Sequence, residues 1–383
     1  MKLWKDLADP ELIAAVRAFT SERVTPVAQQ LDEQDRYPLE LVRATAAQGW
    51  NSLTLPTGFG GGGGSMREQA AVFEELSVGS ALLGISLITI FQSSKIIELY
   101  GEPALQAAVL PRYRQGLTAA YALTEDKHGS DIRRLDTRAT RTATGWVLTG
   151  EKAFITSGSA AELFVILAQT PSGVSTFAVP RDTPGISTYQ GSGATTFGLR
   201  NGPHVNLVLD SVEVAEHQLI GQEGRGLRQA MVTLANSRIL AAAISLGIAR
   251  AAFEGALRYA HGRQAFDRTV LDFQGIQWYF ADLAAEMDAV RLAVYECAGD
   301  IDRGHDIARA SSTAKLLASE LATKAAARAV QVCGAHGVRD TAPFGRYLRD
   351  AKAYEIAGGS SEMLRNTIAK SLIAAVRDSR DAD

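Results

Sequence analysis

The sequence predicts an α+β fold laid out in three zones, helical, then β, then helical again. Up to about residue 116, apolar residues recur at helical spacing. Between 117 and 225 the period shortens to two, with Gly and Pro gathered between short apolar runs. From 226 onward, apolar residues return at alternating steps of four and three over many turns. The expected domains are therefore an N-terminal helical domain (1–116), a middle antiparallel β-barrel or sandwich (117–225) and a C-terminal helical bundle (226–383).

In the first zone, Leu12, Ala15, Val16 and Phe19 share one helical face, and Leu39, Val42 and Ala46 share another. The run Phe59–Ser65 reads as a tight loop between helices, because helical spacing resumes at once at Met66. Pro103 and Pro111 punctuate the end of this zone. In the middle zone, Thr140–Thr142 and Trp146–Thr149 flank a turn at Thr144–Gly145, and Leu163–Leu167 is an apolar run of strand length. Val205, Leu207 and Leu209 alternate with polar neighbours, as do Val212 and Val214, and Pro184–Gly185 and Gly191–Ser192–Gly193 are breaks. In the last zone, Ile276, Phe280, Leu283, Met287, Val290, Val294 and Cys297 form one helical stripe, and Leu317, Leu321 and Ala325 another within an Ala-rich stretch.

Length and composition narrow the function. At roughly 150 residues per domain, 383 residues suggest two or three domains with a core large enough to need no staples. A net charge of −3 lacks the footprint of a nucleic-acid binder, and no polybasic surface for a membrane is visible. The apolar run Ala81–Phe91 is too short to span a bilayer. Cys297 and Cys333, without CxxC spacing, argue against disulfides and a zinc site and fit a reducing compartment. A cytoplasmic, multidomain globular protein is expected.

No metal site is expected, since none of the six histidines has ligand spacing to another His or a carboxylate. No P-loop, GxSxG elbow or GxGxxG after a strand is present, and Gly221–Gly226 reads as a connecting loop. Five segments stand out instead. The first, Tyr121–Asp131, joins a hydroxyl, backbone amides and a Gly-Ser turn able to bind a ring edge and a pyrophosphate, although Ser130 and Asp131 also serve as turn caps. The second, Glu151–Gly158, sets an aromatic and a hydroxyl two apart on one strand face. The others are Tyr259–Phe266 with Phe273–Gln274, Gln331–Gly337, and Arg346–Lys352 with Ile356–Glu362.

Together, and in this order, these segments resemble the acyl-CoA dehydrogenase family over nearly the whole chain. The resemblance implies an FAD-dependent oxidoreductase that converts an acyl thioester to its α,β-enoyl form, with a four-helix bundle as its last domain. It implies a homotetramer or homodimer, with electron-transfer flavoprotein as acceptor. Tyr121, Leu123 and Thr124 would edge the flavin, and Gly129 and Ser130 would lie near the pyrophosphate. Phe154 would cover the flavin face away from substrate, and Thr156 would hydrogen-bond near N5. Arg263, Phe266 and Gln274 would reach the FAD of a neighbouring subunit, with Gln331, Gly334 and Ala335 at the same interface, while Ser360 and Glu362 would contact FAD. Ser130, Arg238, Ala357 and Gly359 are assigned to the substrate.

One part of the family pattern is missing. The chemistry needs a hydrogen bond to the thioester carbonyl, which the Gly358 amide can supply, and a carboxylate to take the α-proton. Most members carry that Glu where this chain has Gly358, and a second branch carries it where this chain has Ser237, before Arg238. Neither position holds an acid. Asp126 and His128, which stand where the family usually has Pro and a small residue, are candidate substitutes, and Ser237 is a poor base unless activated. The expected activity is oxidation of an acyl-CoA or acyl-carrier-protein thioester with a non-standard or absent base, in secondary metabolism. The alternatives are a flavin monooxygenase using oxygen, a redox-neutral flavoenzyme, or a non-catalytic flavin-binding protein.

Overall fold

Helix α1 (Pro10–Phe19) starts where Asp9 accepts the amide of Glu11 and Pro10 supplies a preset φ, so the first turn is capped by sequence alone. The computed structural model describes residues 7–190, 196–200, 202 and 204–380. Helices α2 (Thr25–Glu33), α3 (Leu39–Ala47), α4 (Met66–Gly79), α5 (Ala81–Tyr100) and α6 (Pro103–Arg114) complete the first zone. The glycine run before α4 is a tight loop as expected: the amides of Gly62 and Gly64 donate to Ser52 and Leu53 carbonyls at 3.0 and 2.8 Å. Ser65 and Glu68 then close a reciprocal cap on α4.

The middle zone folds as strands β1 (Ala119–Ala122), β2 (Arg138–Arg141), β3 (Gly145–Ile155), β4 (Leu163–Thr170), β5 (Gly173–Pro180), β6 (Ile186–Gln190) and β7 (Val205–Ala215) in one sheet. Pairs β2–β3, β3–β7, β4–β5 and β6–β7 are antiparallel. Antiparallel pairing does not hold throughout, however: β1 and the start of β2, at Arg138, lie along one edge of β4 and run parallel to it. The β2–β3 hairpin intervenes between β1 and β4 and returns the chain to begin β4 alongside β1. In β7 the alternation slips at Asp210–Ser211, both exposed, where Ser211 takes φ 54° and turns Val212 and Val214 back inward. The Gly191–Ser192–Gly193 break lies outside the described residues.

The last zone holds α7 (Gly226–Gly262), a two-stranded hairpin β8 (Gln264–Ala265) and β9 (Arg268–Thr269), then α8 (Gln274–Asp302), α9 (Ala308–Cys333), α10 (Phe344–Tyr354) and α11 (Ser361–Arg380). The expected α8 stripe from Phe280 to Cys297 is buried. Leu317, expected inward with Leu321 and Ala325, is 43% exposed. Eight residues of helix overshoot two turns by about 80°, so Leu317 sits at the rim while Lys315, Ala318 and Ala322 face in.

The two helical zones are not separate bodies: α4, α5, α7, α8 and α9 contribute to one continuous hydrophobic core, and the sheet keeps a second core around Trp146, Phe164 and Phe177. Gly247 lets α7 approach α4 closely, since a Cβ there would meet the Glu74 carbonyl at 2.6 Å. Helices α5 and α7 are each long and apolar enough to cross a membrane, yet 83% of that stretch in each is buried in this core.

Candidate active site

The site grows from the end of β1. Tyr121 lies on that strand, and Leu123 and Thr124 follow it. The Thr124 carbonyl accepts from the Ala153 amide at 2.9 Å, so the first segment is stitched to the part of β3 that carries Phe154. Beneath this seam lies an ion pair that sequence reasoning missed. Lys152, fully buried, donates to Glu125 at 2.8 Å and to the Leu123 carbonyl at 3.3 Å. Glu125 also accepts the amides of Asp136 and Thr137 at 2.6 and 3.0 Å. Burial alone would raise the Glu125 carboxyl, but the Lys152 ammonium and these amides hold it below its usual range. Burial lowers Lys152 to about 8, against the pull of Glu125, so both groups are charged at neutral pH. Lys152 was legible in principle, because it shares the inward phase of Trp146 and Leu148 on β3.

Between Glu125 and His128 the chain makes a two-residue turn, closed by paired backbone bonds of 3.2 and 3.0 Å, with Asp126 exposed at its tip. His128 faces Asp136, 3.5 Å away. Ligand atoms of Glu125, His128 and Asp136 lie within 4.8 Å of one another, but the Lys152 ammonium already supplies the positive charge at Glu125. Gly129 and Ser130 are exposed. Phe154 is 64% exposed at φ 56°, a conformation costly for an aromatic residue and typical of functional positions. Thr156 is half-buried, and the next residue, Ser157, accepts from Thr89 of α5 at 3.1 Å.

One turn further along α5, Gln92 donates to Ser237 of α7 at 3.0 Å, and Ser237 in turn donates to the Leu234 carbonyl. Arg238 donates through Nε to the Gly358 carbonyl at 3.3 Å and through Nη1 to Ser312 at 3.4 Å. Gly358 is thus tied to α7 through Arg238, the neighbour of Ser237 in sequence, and neither Ser237 nor Gly358 carries a carboxylate. Gly358 and Gly359 take φ 73° and 108°, which only glycine adopts readily, and a Cβ on Gly358 would meet nothing within 4 Å. Lys315 of α9, a second residue missed in sequence, donates to the Gly359 carbonyl at 2.8 Å. Burial and the neighbouring Arg238 charge lower Lys315 to about 7. Ala357 and Ser360 are half-buried in the same turn, and Ser360 caps α11, where Glu362 is exposed.

Neither Asp126 nor His128 contacts Ser237, Arg238 or Gly358 among the described residues. A second cluster lies at the far end of α7. There Arg263 ends the helix, and Phe266 sits at the tip of the β8–β9 turn at φ 52° and 88% exposed. Gln274 is exposed at the start of α8. Tyr259 stacks on His336 with ring centroids 5.0 Å apart, which brings the exposed Gln331, Gly334 and Ala335 to the same end. From Ser237 to Arg263, α7 runs roughly 39 Å.

The residues fit a bound flavin. The Tyr121 hydroxyl is buried with no protein partner among the described residues, and burial pushes it above its usual range. The amides of Gly358, Gly359 and Ser360 likewise have no acceptor among the described residues.

Three family profiles match the chain: the acyl-CoA dehydrogenase N-terminal domain over residues 9–116, the middle domain over 120–212 and the C-terminal domain over 224–373. An acyl-CoA dehydrogenase of Bacillus subtilis (strain 168) is 34% identical, covering 94% of this chain and 96% of that protein. The structure of butyryl-CoA dehydrogenase from Megasphaera elsdenii superposes with a TM-score of 0.92 at 29% identity, covering 95% of this chain and 97% of that one. PigA with FAD and proline superposes with a TM-score of 0.89 at 27% identity, covering 94% and 96%. The chain belongs to the acyl-CoA dehydrogenase family of FAD-dependent oxidoreductases that act on CH–CH groups.

Proposed function

We propose that this enzyme oxidises a specialised acyl thioester, carried on CoA or on an acyl carrier protein, without the carboxylate base common in its family. The observation that carries the reading is the pairing of Ser237 and Gly358 around Arg238, with no acid at either place. FAD, when bound, supplies the two-electron acceptor. Tyr121, Leu123 and Thr124 would edge it, Gly129 and Ser130 would lie near its pyrophosphate, and Phe154 and Thr156 would hold its ring face and edge. Ser360 and Glu362 would contact it from the start of α11. The Gly358 amide would hold the thioester carbonyl and so acidify the α-proton. Ser130, Arg238, Ala357 and Gly359 would line the substrate.

Loss of a general base typically costs about two to four powers of ten in rate, which argues against ordinary fatty-acyl oxidation. A substrate whose released proton sits on nitrogen or oxygen needs no strong base, and the proline in the PigA structure is in keeping with amino-acid-derived substrates on this fold. The same missing acid favours, as a second reading, oxygen-dependent or redox-neutral flavin chemistry. The roughly 39 Å between Ser237 and Arg263 is too long for one dinucleotide to touch both clusters. A second subunit would then bring its Arg263, Phe266 and Gln274 to this flavin, in a homodimer or homotetramer.

The test is anaerobic mixing with a panel of acyl-CoA and carrier-bound acyl thioesters while oxidised-flavin absorbance is followed. Bleaching by one class identifies the substrate. No bleaching in protein whose flavin dithionite still reduces moves the assignment to the second reading. In a parallel experiment Gly358→Glu, which meets open space but strains the backbone at φ 73°, gains oxidation of ordinary acyl-CoA if only the acid is missing. An inactive, folded variant refutes that account of the pocket.

A further inference from the structure

Arg238, a buried cation, and Lys315, a buried amine brought to about 7 by burial and by Arg238, make no ion pair among the described residues. Taking such a group out of water without a counter-ion costs several kcal/mol, and two of like sign side by side cost more. The acids nearest Lys315 are engaged elsewhere or exposed. Glu355 accepts from Thr323 and Lys352, Glu320 pairs with Arg365, and Glu362 lies at the surface. Negative charge on what the site binds would hold both groups in their charged forms.

The geometry shows how that charge is felt. Gly358 and Gly359 take positive φ angles in a turn where the amides of residues 358 to 360 have no acceptor among the described residues, so three successive N–H donors are open to an anion. Each cation holds the carbonyl of a peptide whose N–H is one of these donors. Arg238 holds the Gly358 carbonyl, in one plane with the Gly359 N–H, and Lys315 holds the Gly359 carbonyl, in one plane with the Ser360 N–H. A cation on a carbonyl oxygen polarises the peptide and strengthens its N–H as a donor.

We propose that Lys315 is a positioning residue: with Arg238 it fixes and polarises the Gly358–Ser360 turn into a pocket for negative charge arising on the bound thioester and the reduced flavin. The inference rests on the reading of this site as one for FAD and a thioester. It assigns to electrostatics part of the work that the absent carboxylate does elsewhere.

The experiment is the midpoint potential of the bound flavin in purified holoenzyme, compared across wild type, Lys315→Met, Lys315→Arg and Glu355→Gln. Lys315→Met should retain flavin with a more negative potential, its reduced form disfavoured about tenfold, the size of one charge-assisted hydrogen bond. Lys315→Arg should restore the wild-type value. Glu355→Gln, which removes the nearest opposing charge, should shift the potential the other way. Equal potentials in flavin-loaded wild type and Lys315→Met overturn the proposal. If Lys315→Met does not fold, an unmoved Glu355→Gln does so alone. A wild-type chain that takes up no flavin fails the underlying site reading, a result separate from these.

Discussion

Helix α7 buries arginines at two places and treats them in opposite ways. At Arg250 the charge is matched. Glu75 receives Arg250 at 2.6 Å and Arg17 at 2.8 Å, while Glu74 receives Arg250 at 3.3 Å, Arg291 at 3.1 Å and the Tyr295 hydroxyl at 3.1 Å. Burial would raise the Glu75 carboxyl, but the Arg250 and Arg17 guanidiniums outweigh it and hold it below its usual range. Three turns toward the site, Arg238 has only a carbonyl and a hydroxyl among the described residues. Burial lowers it below its usual range with no carboxylate to oppose the effect. The matched network clamps α1, α4, α7 and α8 together. The unmatched pair points at a ligand. Neutralised charge marks structure here, and unneutralised charge marks the place where a reaction develops charge.

The largest effect should come from breaking the matched region. Glu74→Ala removes the buried acceptor shared by Arg250, Arg291 and Tyr295, leaving Arg250 to Glu75 and Arg291 to Asp288, and urea unfolding should show a loss of about 3–5 kcal/mol. A loss below 1 kcal/mol would mean the network is not the clamp described. Asp350 sharpens the comparison from the acidic side. It is buried, accepts the Leu199 amide at 2.7 Å and makes no ion pair among the described residues. Burial raises its carboxyl from 3.8 to about 6, partly opposed by Arg346. A carboxyl raised on folding contributes most below its unfolded value and loses that contribution as pH rises through about 6. Between pH 4 and 7, wild type should lose up to about 3 kcal/mol relative to Asp350→Asn, read as a falling Tm difference. Parallel Tm profiles would refute it.

Much of the fold was legible because burial follows period. The α8 stripe from Phe280 to Cys297 and the alternation of Val205, Leu207 and Leu209 both face in. Leu317 misled because a face drawn over eight residues drifts around the helix, and the parallel β1–β4 pair because crossover topology leaves no local pattern. Of the candidate site, Tyr121–Asp131 and Glu151–Gly158 stood out as motifs, and the Ala153 amide on the Thr124 carbonyl brings those two segments together. Lys315 and Glu74 did not stand out, because a charged residue in a polar-looking segment reads as solvated until a partner from another element covers it, and Lys152 showed only as a charge in the inward phase of β3. Lys315 did leave a trace, since it interrupts an otherwise small-residue stripe of Ser311, Ala318, Ser319 and Ala322, all buried.

The smallest effect tests how Arg238 is held. Its Nη1 reaches Ser312 at 3.4 Å, a long bond, and Ser312 itself donates to the Ala308 carbonyl at 2.8 Å. Ser312→Ala removes the acceptor without touching the Gly358 carbonyl. The stability cost should be about 1 kcal/mol, typical of one hydrogen bond and well under that of Glu74→Ala. If Arg238 is fixed chiefly by the Gly358 carbonyl, flavin potential in Ser312→Ala stays at the wild-type value while Tm falls slightly. A shift in potential as large as that of Lys315→Met would instead make the hydroxyl part of the anion-stabilising turn, with Ser312 and Lys315 acting from the same helix, α9.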